Sequence, residues 1–188
     1  IPGTLDVMGA AIGHSPVVQI GFNRDIAWTH TVSTGKRFTL FELELAPDDP
    51  RSYVLDGKVV PMTAQRVHYE VVNAQGLVQK RAHTIWQTRF GPLLEVPQAG
   101  LAWTRTRAFA LKDANTLDLR AIDIWLGLNR DRSVGEMRAT LAKLGVPWVN
   151  TIAADRDGRA MYADVSVVPD VDAAQLQRCA PSKPAAAL

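Results

Sequence analysis

Cysteine is almost absent from this sequence: Cys179 is the only one in 188 residues. That excludes a disulfide framework or a thiolate metal site within the chain, because each needs a second sulfur or a suitably spaced histidine. Cys179 reads as a small buried hydrophobe or a free thiol. Histidine is scarce too, and His14, His30, His68 and His83 fall at no HxH or HExxH spacing, so no metal site is expected. No charge of one sign accumulates. The 21 basic and 19 acidic residues are scattered and leave a net +2, which gives no electrostatic footprint for nucleic acid. No apolar run approaches the roughly 20 residues of a membrane-spanning helix, so no membrane insertion is expected. An initiating Met and a charged leader are missing as well. The sequence opens at Ile1 inside an apolar stretch and closes on Pro181-Ser182-Lys183-Pro184 and alanines, so it reads as a piece of a longer polypeptide.

What is present is a hydrophobic content of 47%, enough for one folded core, placed here at residues 1–170, with 171–188 as a poorly packed tail. The first hundred residues are strand-like. Val17–Phe22 and Ile26–Val32 are β-rich runs joined by the short polar link Asn23-Arg24-Asp25. Phe41, Leu43 and Leu45 alternate with Glu42 and Glu44, which predicts a strand with one wet face. The same period of two recurs in Val67, Tyr69 and Val71, and a further strand is expected over Leu77–Thr88. Asp56-Gly57 and Gln75-Gly76 supply turns.

The period then changes. Leu117, Ala121, Ile124, Trp125 and Leu128 fall at helical spacing, which predicts a helix over Asn115–Leu128 with Asn115 as its N-cap. Ser133 and Glu136 form a capping box for a second helix with the stripe Val134, Met137, Leu141 and Leu144, ended by Gly145 and Pro147. Strands resume at Trp148–Ala154 and Arg159–Val167 around the turn Asp155-Arg156-Asp157-Gly158, which has too few carboxylates for a calcium loop. Strands, a helical pair near 115–145, then strands indicate an α+β fold with mostly antiparallel strands and no internal repeat.

Candidate chemistry is thin when read residue by residue. Gly13-His14-Ser15-Pro16 only superficially resembles a GxSxG nucleophile turn, because Val17 stands where the second glycine belongs. His68 and His83 occupy polar positions of alternating strands and read as surface residues. His30 shares a strand face with Ile26, Trp28 and Val32 and reads as a buried, hydrogen-bonded structural histidine, not a catalytic base, because no Ser or Cys has a nucleophile's setting beside it. Five tryptophans usually mean core, although Trp125 and Trp148 could also wall a deep apolar pocket.

An ordered set of motifs carries more information. Ile1-Pro2-Gly3, Asp6-Val7-Met8-Gly9-Ala10, Ile20-Gly21-Phe22-Asn23, Ile26-Ala27-Trp28-Thr29-His30-Thr31-Val32, Gly91-Pro92, Trp148-Val149-Asn150-Thr151 and Ala154-Asp155-Arg156-Asp157-Gly158 occur in sequence. Together they resemble the β subunit of penicillin-acylase-type N-terminal-nucleophile hydrolases, above all the acyl-homoserine-lactone and cyclic-lipopeptide (aculeacin-type) acylases. The resemblance covers nearly the whole chain and fades after about Pro169.

The resemblance implies part of a four-layer αββα sandwich cut from a self-cleaved precursor. It also implies a nucleophilic serine at the start of the β subunit, whose own α-amine, with an unperturbed pKa of about 7.7 to 8.0, acts as base. Ile1 is not that serine, so this piece alone is expected to be inactive. What it is expected to supply is the backbone NH of Val32 as one oxyanion-hole donor. The family's second donor, an Asn, matches nothing here. Ile12, Ser15, Gln19, Thr31, Trp125, Trp148 and Val149 fall where long-chain acylases line the acyl pocket. His14 and Ser15 stand where relatives usually carry Gly and an apolar residue. Thr34, Gly35 and Lys36 replace the carboxylates with which penicillin acylases proper bind calcium, so no metal and no cofactor are implied. The implied partners are the remainder of the β subunit, the α subunit of the same precursor and a small-molecule N-acyl substrate, in the periplasm or secreted. A β-lactam acylase, or a non-catalytic β-rich binding module on an acylase-like scaffold, are the alternatives.

Overall fold

The computed structural model describes residues 5–13, 15–180 and 182–183. The order of elements is β1 (Val7–Ala10), β2 (Ile20–Asn23), β3 (Ile26–Val32), β4 (Phe38–Ala46), β5 (Asp49–Leu55), β6 (Lys58–Pro61), β7 (Thr63–Val72), β8 (Val78–Thr88) and β9 (Gly91–Pro92). After a 3₁₀ turn at Pro97–Ala99 come β10 (Arg107–Asp113), α1 (Ala121–Leu128), α2 (Val134–Leu141), β11 (Val149–Asp155), β12 (Ala160–Asp164) and α3 (Ala173–Arg178). The chain divides into two compact units, Ile1–Arg37 with Ala114–Pro169, and Phe38–Asp113 with Asp170–Leu188.

The first unit is an antiparallel sheet in the order β1-β2-β3-β11-β12. Ile26 and Trp28 of β3 and Ala153 of β11 share one core with Ile124 and Leu128 of α1 and Met137 and Leu141 of α2. Leu128 and Met137 are fully buried, each side chain contributing about 1.5–3 kcal/mol by leaving water. The outer strands approach closely because Gly9 and Gly21 face each other across the β1–β2 ladder. A Cβ at Gly21 would drive into the Met8 carbonyl and lie 2.7 Å from the Val18 side chain, and one at Gly9 would meet the Ile20 carbonyl. Glycine at these two motif positions is a packing requirement.

Two expected boundaries move, each because of a partner distant in the chain, and one cap differs in detail. β2 begins at Ile20, not Val17, because both backbone groups of Val18 are taken by one side chain: the amide donates to Asn129 Oδ1 (3.0 Å), and Asn129 Nδ2 donates to the carbonyl (2.6 Å). α1 begins at Ala121, and Asn115 is not its cap. The Asn115 carbonyl instead accepts from the Asp118 amide (2.8 Å) in a turn while its Nδ2 donates to the Val167 carbonyl (3.2 Å), leaving Leu117 93% exposed. At α2 the Ser133 hydroxyl caps the Glu136 amide (3.2 Å), but the Glu136 carboxylate reaches back one residue further, to the Arg132 amide (2.7 Å). Asp155 adds to this cap, its Oδ2 accepting from the Val134 amide (3.0 Å) and its Oδ1 from the Arg159 amide across the β11–β12 turn (3.0 Å). An acid at a helix N-terminus complements the helix dipole.

The second unit contains the sheet β10-β4-β5-β6 and the three strands β7-β8-β9. Its core gathers Leu43, Leu45, Tyr53, Met62, Ala108 and Ala110, and the glutamates between the β4 leucines are exposed, as the alternation predicts. Asp56 (φ 50°) and Gly57 (φ 74°) make the two-residue turn between β5 and β6, where left-handed backbone suits the strand twist. In the β7–β8 hairpin the alternation is present without the burial: Val67, Tyr69 and Val71 remain exposed, as do His68 and His83. Within the stretch expected as a tail, α3 is a short exposed helix capped by Asp172, and Cys179 at its end is an exposed free thiol.

Candidate functional site

Ile26, Trp28, His30 and Val32 alternate onto one face of β3. The first two are buried at 3% exposure, His30 is half-buried, and Val32 is 82% exposed at the strand end. Val32 stands opposite Val149 of β11, and the Ser33 amide donates to the Trp148 carbonyl (2.6 Å). In an antiparallel ladder this makes Val32–Val149 a non-hydrogen-bonded pair, so the Val32 N–H points away from β11. On that other side the pairing with β2 runs only over Ala27 and Trp28. Among the described residues, the Val32 N–H therefore has no ladder partner.

On the opposite face, Asn150 Nδ2 donates to Thr31 Oγ1 (3.2 Å) and to the Val32 carbonyl (3.1 Å), while the Tyr162 hydroxyl donates to Asn150 Oδ1 (2.8 Å). The Ser33 hydroxyl donates to the Asp164 carboxylate (2.8 Å). These side chains hold the end of β3 in register with β11 and β12.

A cavity of about 540 Å³ opens beside this strand end. Ile12, Ser15, Gln19, Trp125, Trp148 and Val149 line it, together with His30, Ile122, Pro147, Pro16, Ile20, Ala10, Ala11 and Gly13. Six of the seven expected pocket residues thus converge, from segments up to 137 positions apart (Ile12 to Val149). Thr31 is not among them; it faces Asn150 instead. His14 lies outside the described residues.

The loop wall is braced by its own polar atoms. Gln19 Oε1 accepts from the Ile12 amide (2.7 Å), and the Gln19 carbonyl accepts from the Trp28 indole (2.7 Å). The Ser15 hydroxyl is engaged with the Val17 backbone (3.2 Å) and faces no base among the described residues. Trp148 sits in left-handed backbone (φ 73°), a cost of about 1–3 kcal/mol for such a residue. Its ring is covered by the Arg37 guanidinium, 3.5 Å from the ring centre. Trp125 comes from α1, and its indole Nε1 donates to His30 Nε2 (3.2 Å). Burial holds the His30 imidazole below the ordinary histidine pKa, against a smaller opposing pull from the Asn150 backbone. The second unit has a larger hollow of about 700 Å³, but Glu42, Glu44 and Arg107 line it, and the expected site residues are elsewhere.

The penicillin amidase family profile matches residues 1–187. This chain belongs to the penicillin amidase family. The chain is 44% identical over 180 residues to the acyl-homoserine lactone acylase PvdQ of Pseudomonas putida, covering 95% of this chain and 23% of that protein. It is 42% identical over 183 residues to the aculeacin-A acylase of Actinoplanes utahensis, covering 97% of this chain and 22% of that protein. It therefore spans less than a quarter of the length of these relatives. Among solved structures it resembles the thermostable penicillin G acylase from Alcaligenes faecalis, with a TM-score of 0.78 and 22% identity over 93% of this chain and 30% of that one. The fold is accordingly α+β, built mostly from antiparallel strands and similar to the corresponding part of that acylase.

Proposed function

We propose that this chain belongs to an N-acyl amidohydrolase that cleaves the amide of an acyl-homoserine lactone or lipopeptide through an acyl-enzyme ester. The observation that carries the reading is the juxtaposition in one unit of a tryptophan-walled apolar cavity with a strand-end amide, that of Val32, directed away from its neighbouring strand. The cavity would hold the acyl chain and the Val32 N–H would face the oxyanion, a donor worth roughly 3–4 kcal/mol of transition-state stabilisation. The nucleophile would be an N-terminal serine outside this sequence, with its α-amine as base. That serine, the rest of the β subunit and an α subunit are the partners of this reading, in the periplasm or secreted. Acyl selectivity would rest on burial, at about 0.8 kcal/mol or fourfold in kcat/KM per methylene enclosed.

The test compares decanoyl-homoserine lactone with a phenylacetylated β-lactam on the full-length protein. Preference for the first, and no turnover by residues 1–188 alone, is the expected result. Preference for the β-lactam, or robust hydrolysis by residues 1–188 alone, would overturn it.

A further inference from the structure

We propose that His30 is a specificity-setting positioning residue, whose neutral imidazole fixes the Trp125 indole as a wall of the acyl cavity; this rests on the acylase reading above. An indole nitrogen can only donate. The 3.2 Å contact from Trp125 Nε1 to His30 Nε2 therefore assigns the lone pair to Nε2 and the ring proton to Nδ1. Nδ1 in turn lies 3.2 Å from the Thr151 hydroxyl, and Thr151 is 2% exposed. Both ring nitrogens are thus engaged, one by β11 and one by α1. The same arrangement leaves no free lone pair with which His30 could take a proton from a nucleophile.

The geometry of the two rings agrees. Their centroids are 6.3 Å apart at 64°, an edge-to-face contact that resists rotation of the indole about its χ2. Trp125 lies on a helix of eight residues, and its buried neighbours Ile124 and Leu128 hold the helix to the sheet. Without the imidazole acceptor, a half-buried indole N–H lacks a partner and the ring can turn into the cavity or out of it. Because His30 and Trp125 line the same cavity, such a turn changes how much of an acyl chain is enclosed.

The experiment uses the full-length protein with His30→Leu, which removes the acceptor, His30→Gln, which restores one, and Trp125→Phe, which removes the donor. Kinetics are read across butyryl to dodecanoyl homoserine lactones. His30→Leu is expected to lower kcat/KM for decanoyl substrate about five- to tenfold, the effect of one hydrogen bond, through KM and with a flattened chain-length profile. His30→Gln should recover most of the loss, and adding His30→Leu to Trp125→Phe should change nothing further. An unchanged profile in His30→Leu, a fall in kcat alone, or a His30→Gln variant as poor as His30→Leu with normal thermal unfolding would overturn the proposal. If the unmodified protein cleaves no acyl amide, the acylase reading falls by itself. Calorimetric binding of decanoate then decides the role of His30: the same order of affinities supports it, and equal affinities or no binding to the unmodified protein refute it.

Discussion

Asn129 links the pocket loop to the helix layer, and replacing it should loosen the cavity from a distance. The side chain is 3% exposed and makes a two-pronged bond to the Val18 backbone, accepting from the amide at 3.0 Å and donating to the carbonyl at 2.6 Å. Val18 joins directly to Gln19, whose side chain holds Ile12. In Asn129→Ala both bonds vanish, and the half-buried Val18 groups regain solvation only if the loop opens. At about 0.5–1.5 kcal/mol per bond plus the desolvation left uncompensated, the cost is about 2–4 kcal/mol. Hydrogen–deuterium exchange of peptides covering residues 11–19 in the full-length protein should then accelerate about 30-fold or more. Asn129→Asp offers a sharper test. It keeps the acceptor but sets a carboxylate oxygen against the Val18 carbonyl, so its carboxyl pKa should rise, and protonation, which restores a donor, should recover protection as pH falls. Exchange within threefold of the unmodified protein in Asn129→Ala, or an Asn129→Asp variant that loosens further on acidification, would show the clamp to be incidental.

Two further outcomes follow from packing and charge. Gly21→Ala places a methyl against the Met8 carbonyl and Val18, so thermal unfolding of the full-length protein should report a loss of about 1–3 kcal/mol or more, and an unchanged midpoint would contradict the close β1–β2 approach. The Asp155 carboxyl is held below the usual carboxylate range, first by the Val134 amide and against the opposing effect of burial. A depressed folded pKa stabilises above the unfolded value of about 3.9 and loses that contribution as pH falls through the folded one. Asp155→Asn should therefore melt lower than the unmodified protein at pH 7, with the gap closing below pH of about 4. A gap independent of pH would assign the effect to shape alone.

What could be read from sequence and what could not divides along chain distance. β3 occupies Ile26–Val32, the β-rich run, and Ser133 caps α2, because the signals for both lie among near neighbours. The start of α1 escaped because Asn115, a good cap by type, is bound by Val167, 52 residues on. β2 is shortened by a side chain 111 residues away. The Trp125–His30 bond joins residues 95 apart, so sequence could mark His30 as hydrogen-bonded without naming its partner. Thr31 shows the limit of strand parity: the face opposite His30 is known from alternation, but which face borders the cavity depends on where the helices pack.

The non-hydrogen-bonded pairing of Val32 with Val149 makes the candidate site a matter of odd and even. A substitution at Val32 alters only a side chain exposed to water, so scanning mutagenesis would pass over the position. Removing one residue from β3 would turn every later amide through half a revolution and bury the donor in the ladder, whereas removing two would return it to its direction. Such a centre is encoded by counting, and insertions and deletions, not replacements, are the changes to which it is exposed.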